Sequence, residues 1–334
     1  MNKNNLKAKI LFLFKATVSA GLLFYLIRQI SIDDILNQYS KINTLLLPIA
    51  FILLFLQIAL SSLKWKYILR SENIVPPYLF LLKSYCIGSF ISLFLPTSFG
   101  GDIYRVYALK KYSLNLFQNT SSVLFDRLSG LFALCSISII SYTFFYKNII
   151  DYRLLGLYIL AVILFCVLSS ERILGILGKI GLRILKVFIS ILESFNKYAN
   201  DRQMLLKSLF VSFLFQNNII LIVKLYCIAM NIDISIEYLY MSVPLIYLTE
   251  ALPITINGLG FREGAFVFFF LQAGYAKHEA LAVAFLAITM RYLFGLTIGG
   301  TLFFQTLLFQ NKKEKDIEPN LVDYKYSNPP LHPR

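Results

Sequence analysis

Leu252-Pro253-Ile254-Thr255-Ile256-Asn257-Gly258-Leu259-Gly260-Phe261-Arg262-Glu263-Gly264 ends an apolar run with Leu-Pro and passes through small residues and glycine. It then sets an arginine and an acid where a new apolar helix begins. A second stretch, Leu95-Pro96-Thr97-Ser98-Phe99-Gly100-Gly101-Asp102-Ile103-Tyr104-Arg105, is built in the same way. Proline removes a backbone donor and stops a helix. Breaks and charges inside apolar sequence are costly at membrane depth unless they line a cavity or a partner surface. Two such breaks, one in each half of a chain, point to a binding site of the kind that secondary transporters build from broken helices.

Working outward, the 334 residues are 57% apolar with a mean hydropathy of +0.67. Soluble domains hold roughly 45–50% apolar residues, and apolar runs of about 18 residues or more, enough to span a bilayer, recur here. The class is an all-α polytopic membrane protein. Full spans are expected over 10–28, 45–63, 122–146, 153–170, 208–229 and 280–308. The regions 78–110 and 239–275 hold the two breaks.

The net charge is +14. Its lysines and arginines sit mainly between apolar runs, which assigns them to topology and to anionic lipid headgroups rather than to nucleic acid. Lys3, Lys7 and Lys9 place the N-terminus in the cytoplasm, and Lys64, Lys66 and Arg70 return there after two crossings. Segment 171–207 and Lys312, Lys313 and Lys315 also belong inside, so both termini are expected to be cytoplasmic in the cell membrane. All basic clusters stay inside only if 78–110 enters and leaves on the cytoplasmic side and 239–275 does so on the outer side. Two re-entrant hairpins satisfy this, and so do paired short crossings. With hairpins, the units 45–63, 78–110, 122–146 and 208–229, 239–275, 280–308 form an inverted-topology repeat. Segment 171–207 reads as an amphipathic cytoplasmic helix closing a membrane domain over 1–310, and the Pro-rich stretch 311–334 as a disordered tail.

Eight charges fall within or beside apolar sequence: Asp102, Arg105, Asp126, Arg127, Glu250, Arg262, Glu263 and Arg291. Each costs about 2.5–3.5 kcal/mol at a helix centre on an insertion scale, so they must be paired, hydrated or near an interface. Asp102 and Arg105 share a helix face at their spacing of three. They serve either an anionic headgroup or a structural ion pair at a helix start. Arg127 either meets substrate or reaches for the nearby surface, whereas Arg291 lies too deep in its span to do so easily. Glu250 is placed to counter Arg262 or Arg291, or to carry a proton. Gly100, Gly101, Asn257, Gly258 and Gly260 form turns or let a ligand approach helix N-termini. Trp65, beside Lys64 and Lys66, fits an interfacial aromatic belt. Cys86, Cys135, Cys166 and Cys227 have no metal-ligand spacing, the chain has two histidines, and no nucleophile elbow or phosphate loop is present. No cofactor or metal is expected.

At Pro96 through Arg105, at Phe125-Asp126-Arg127-Leu128-Ser129-Gly130-Leu131 and at Leu252 through Gly264, the chain resembles the transmembrane flippase-like domain of lysylphosphatidylglycerol synthases, which also occurs as stand-alone membrane proteins. The likeness extends over about residues 8–308. It implies movement of an aminoacylated or otherwise polar phospholipid, or a related glycolipid, between leaflets, with anionic-headgroup lipids as partners. Full-length synthases add a cytoplasmic aminoacyl-transferase domain after the membrane part. Only 26 residues follow Leu308 here, so lysyl transfer itself is not expected. The alternatives are a membrane-embedded transferase using Asp102 or Glu263 as base, or a membrane partner of a separate lipid-modifying enzyme.

Overall fold

The computed structural model describes residues 3–28, 32–95, 100–145, 198, 200–251 and 255–308. The described residues are helical throughout apart from short connections. The helices are α1 (Lys3–Arg28), α2 (Ile32–Ser40), α3 (Leu47–Ser71), α4 (Tyr78–Phe94), α5 (Gly100–Ala108) and α6 (Leu116–Phe145) in the first part. The second part holds α7 (Arg202–Ala229), α8 (Ile236–Ala251), α9 (Phe261–Gln272) and α10 (Lys277–Phe294). A π-helical turn over Gly295–Gly299 carries α10 on without a break as far as Leu308.

Among the described residues, four helices are long and apolar enough to cross a membrane: Thr44–Ser71, Leu116–Phe144, Arg202–Ala229 and Lys277–Leu308. They coincide with four of the six expected spans, and α1 covers the expected span 10–28. The expected span 153–170, the tail 311–334 and nearly all of segment 171–207 lie outside the described residues. Large apolar side chains such as Phe24, Ile52, Phe94, Phe144 and Phe304 are exposed along these helices. That surface suits a hydrocarbon solvent and would aggregate in water.

Local chemistry sets the helix ends. Pro48 stands in the first turn of α3, where a missing N–H costs nothing. Asp201 starts α7 by accepting the Met204 N–H at 3.0 Å. Asn73 and Asn231, just past α3 and α7, adopt φ of 59° and 57°. Asparagine tolerates that left-handed conformation better than other side chains.

The helices pack reciprocally. α3 lies along α7, where Asn218 Nδ2 donates to Leu53 O at 2.8 Å. α8 lies along α6, where Ser138 Oγ donates to Met241 O at 3.1 Å. α4 lies against the π-turn of α10. There a Cβ on Gly299 would stand 2.4 Å from Cys86 O, so only glycine fits. Within each part a shorter helix runs back along its predecessor. Tyr85 of α4 faces Arg105 of α5, and Tyr238 of α8 donates to Phe269 O of α9 at 2.7 Å. α2 caps one end of the bundle, with Gln38 Nε2 donating to Met230 O at 2.7 Å. α1 touches the start of α9, where Ser19 Oγ accepts the Ile256 N–H at 2.9 Å.

Candidate functional site

The eight charges fall into two sets, one shared by α5 and α6, the other by α8, α9 and α10. In the first, Arg105 of α5 is buried and reaches two carboxylates. Its Nη1 meets Asp102 Oδ1 at 3.1 Å and its Nη2 meets Asp126 Oδ2 at 2.9 Å. Asp102 also holds Arg127 Nε of α6 through its other oxygen. Asp126 receives the Tyr85 hydroxyl at 2.5 Å, and Lys64 Nζ of α3 lies 2.9 Å from its Oδ1. That contact is an ion pair without hydrogen-bond geometry, for Oδ1 accepts no hydrogen bond. The ammonium donates instead to the Asp126 backbone carbonyl at 2.7 Å. The Arg105 guanidinium sits in the corner formed by Tyr85 and Trp65, 3.8 and 4.3 Å from the two ring centroids, the rings themselves standing edge to face at 5.8 Å. Trp65 Nε1 donates to Ser122 Oγ at 3.1 Å.

The second set repeats the arrangement with glutamates. Arg262, at the start of α9, is buried and meets Glu250 of α8 through Nη1. Its Nη2 and Nε meet Glu263 Oε1 at 2.8 and 3.0 Å. Glu250 also accepts from Arg291 Nη2 of α10 at 3.0 Å. Glu263 turns its other oxygen to the Gly260 N–H at 2.5 Å, capping the N-terminus of α9. A carboxylate there is favoured by the helix dipole as well as by the bond. Gly258 is pressed on Glu250, where a Cβ would stand 2.9 Å from Cγ, and its φ of 77° is left-handed.

Exposure divides the arginines by role. Arg105 and Arg262 retain 4% and 2% of their side-chain surface, and each spends its guanidinium on two carboxylates. Arg127 and Arg291 retain 37% and 41%. They are the two guanidiniums with surface left for a ligand. Arg291 lies fourteen residues into α10, about 21 Å along its axis.

Of the sequence candidates, Asp102, Arg105, Asp126 and Arg127 come together in the first set, and Glu250, Arg262, Glu263 and Arg291 in the second. Glu250 counters both arginines rather than one. Gly100 and Gly101 open α5, and Gly101 lies so close to α4 that a Cβ would meet Gly88 O at 2.6 Å. Asn257 and Gly258 stand in the turn between α8 and α9, and Gly260 lies against Leu22 of α1. Trp65 requires a correction. It is fully buried against Arg105 rather than in an interfacial belt, because α3 continues to Ser71 and carries it inside the bundle.

Lys64 and Tyr85 belong to the first set and were not among the sequence candidates, nor was Tyr247, whose ring lies 6.0 Å from the Arg291 guanidinium. The available signal was the apolar rhythm of Trp65, Ile68 and Leu69, which carries the helix past the first lysine. No group of three or more metal-binding side chains occurs among the described residues.

A family model, that of the lysylphosphatidylglycerol synthase TM region, matches residues 12–299. No curated protein matches the chain.

Proposed function

The chain belongs to the lysylphosphatidylglycerol synthase TM-region family, and on that premise we propose that it is a lipid translocase of the cell membrane. It would move a phospholipid or related lipid with a polar, phosphate-bearing headgroup between leaflets. The observation that carries this reading is the pair Arg127 and Arg291. Both are half-exposed guanidiniums on apolar spans, and each pairs with a carboxylate that a buried arginine also shares. Arginine presents a planar fork suited to phosphate oxygens. The shared carboxylate keeps each fork neutralised while no headgroup is bound. An incoming phosphate replaces that partner without a bare charge at membrane depth. The acyl chains remain in lipid throughout.

The fold reading that accompanies this has six spans, with α4–α5 and α8–α9 as re-entrant pairs entering from opposite faces. Both termini are cytoplasmic. The reciprocal packing supports it: α3 lies on α7, α4 on the end of α10, and α8 on α6. Each middle pair thus packs on the third element of the other unit, an arrangement that two symmetry-related repeats would share. Carboxylates near either set can also meet a cationic group on the headgroup. Energy coupling does not enter the proposal.

Leaflet exchange of headgroup-labelled lipids in proteoliposomes tests the reading, with the wild type compared with Arg291→Ala. A wild-type rate above empty vesicles and a loss of at least tenfold in the variant are expected. Equal exchange in both would remove Arg291 from the path and with it the site proposed here.

A further inference from the structure

The turn between α8 and α9 does more than reverse the chain. Asn257 adopts φ of 51° and Gly258 φ of 77°, two left-handed residues in succession. A non-glycine residue in that region marks a position whose surroundings hold it there. The Asn257 side chain reaches into the other half of the molecule. Its Nδ2 donates to Ser92 O at 3.1 Å and to Leu95 O at 3.2 Å. Ser92 lies in the last turn of α4 and Leu95 is its extended C-cap, at an end where a helix leaves its acceptors without intrahelical partners. For Ser92 the reason is written in the sequence. The N–H that would reach its carbonyl is that of residue 96, and residue 96 is proline, which has none. Ser92 is half-buried, and an unmet carbonyl among apolar side chains is expensive. The proline break of one half is therefore satisfied by the asparagine of the other.

The next residue ties this contact to the charges. Gly258 lies directly on Glu250, the carboxylate that Arg262 and Arg291 share. Any displacement of the α8–α9 turn from α4 breaks both Asn257 bonds, uncovers two carbonyls and moves the backbone that backs Glu250.

We propose that Asn257 is a positioning residue, a latch that holds the α8–α9 turn on the end of α4 and so sets the Glu250–Arg291 pair against the first half of the protein. The consequence for transport rests on the translocation reading above; the latch itself does not. The two are tested separately. Spin labels at Phe94 of α4 and Phe268 of α9, both exposed, are introduced after the four cysteines are replaced by alanine. Their distance distribution is then compared in Asn257, Asn257→Asp and Asn257→Gly proteins. Aspartate keeps the shape and removes both donors. Glycine removes them while relaxing the left-handed backbone, so it does not threaten the fold. A single narrow distance is expected with asparagine, and a second, longer population in both variants. Identical distributions in all three would overturn the latch. In vesicles both variants are expected to lose about tenfold in exchange rate, the scale of two neutral hydrogen bonds. Half-saturating lipid stays unchanged, because Arg127 and Arg291 are themselves intact on α6 and α10 and only the setting of the α8–α9 turn against α4 is lost. A rise in half-saturating lipid with an unchanged maximal rate would instead make Asn257 a headgroup contact and overturn its positioning role. If wild-type protein moves no lipid, the translocation reading fails and the distance measurement still decides the latch.

Discussion

The α4–α5 and α8–α9 pairs solve the same electrostatic problem with different parts. Each holds a buried arginine on two carboxylates and a half-exposed arginine on one of those two. Around Arg105 the first set adds two aromatic faces and a lysine. Among the described residues, three cations then face two carboxylates and leave one positive charge. Around Arg262 the second set adds no cation, so two arginines face two glutamates and the charge is nil. Its second carboxylate is held by the backbone of Gly260 instead. The difference assigns the tasks. The parts that differ surround the buried arginines, whereas a half-exposed arginine on a divided carboxylate is common to both halves and, under the function proposed above, is the group that meets the headgroup.

The comparison is broken most severely by removing a buried arginine. Arg262→Ala leaves the buried Glu263 without its cation and Glu250 with Arg291 alone. Losing one partner of a buried pair costs about 3–5 kcal/mol. The variant is expected to unfold in detergent at markedly lower temperature than wild type, and Arg105→Ala is expected to behave alike. A wild-type melting curve for either would show that the buried arginines are not structural.

Arg127→Ala should then reveal whether the half-exposed pair is equivalent. Its melting temperature is expected within a few degrees of wild type, since its removal leaves Asp102 still paired with Arg105. Its exchange rate is expected to fall at least tenfold, about 1.4 kcal/mol or more in the barrier. Exchange unchanged in Arg127→Ala but lost in Arg291→Ala would confine the headgroup to the second set.

Lys64→Met removes the extra charge and brings the first set to neutrality. Asp126 keeps Arg105 and Tyr85, so the stability loss is expected near the 1.5–3 kcal/mol of a charged hydrogen bond. Exchange of an anionic lipid should slow more than that of a zwitterionic one. Equal slowing of both would mean that the surplus charge does not act on the headgroup. The smallest effect belongs to Trp65→Phe, which keeps a ring over Arg105 but loses the bond to Ser122. It should lower stability by about 1 kcal/mol, read by chemical denaturation, and leave exchange untouched.

Much of this was legible beforehand. Asp102, Arg105, Asp126, Arg127, Glu250, Arg262, Glu263 and Arg291 stood out because charge within apolar sequence is rare and must be compensated. The helices of the long spans followed from hydropathy and length. What escaped was pairing at long sequence separation. Lys64 read as one member of a basic flank, because nothing near it announces an aspartate 62 residues away. Trp65 read as interfacial for the same reason, since an aromatic beside lysines looks identical whether it faces headgroups or covers a buried guanidinium.

The sequence by itself determined that the chain is helical and greasy, where its helices break, and which side chains cannot be left alone there. Those properties are local, set by residue solvation, by proline's missing N–H and by glycine's freedom at positive φ. The tertiary structure decided which charge meets which. It buried Arg105 and Arg262 while leaving Arg127 and Arg291 more open, and it set Asn257 of one half against the carbonyls of Ser92 and Leu95 in the other. Those outcomes depend on how helices distant in sequence lie against one another. Close packing fixes them at places where only glycine permits the approach, as at Gly101 and Gly299.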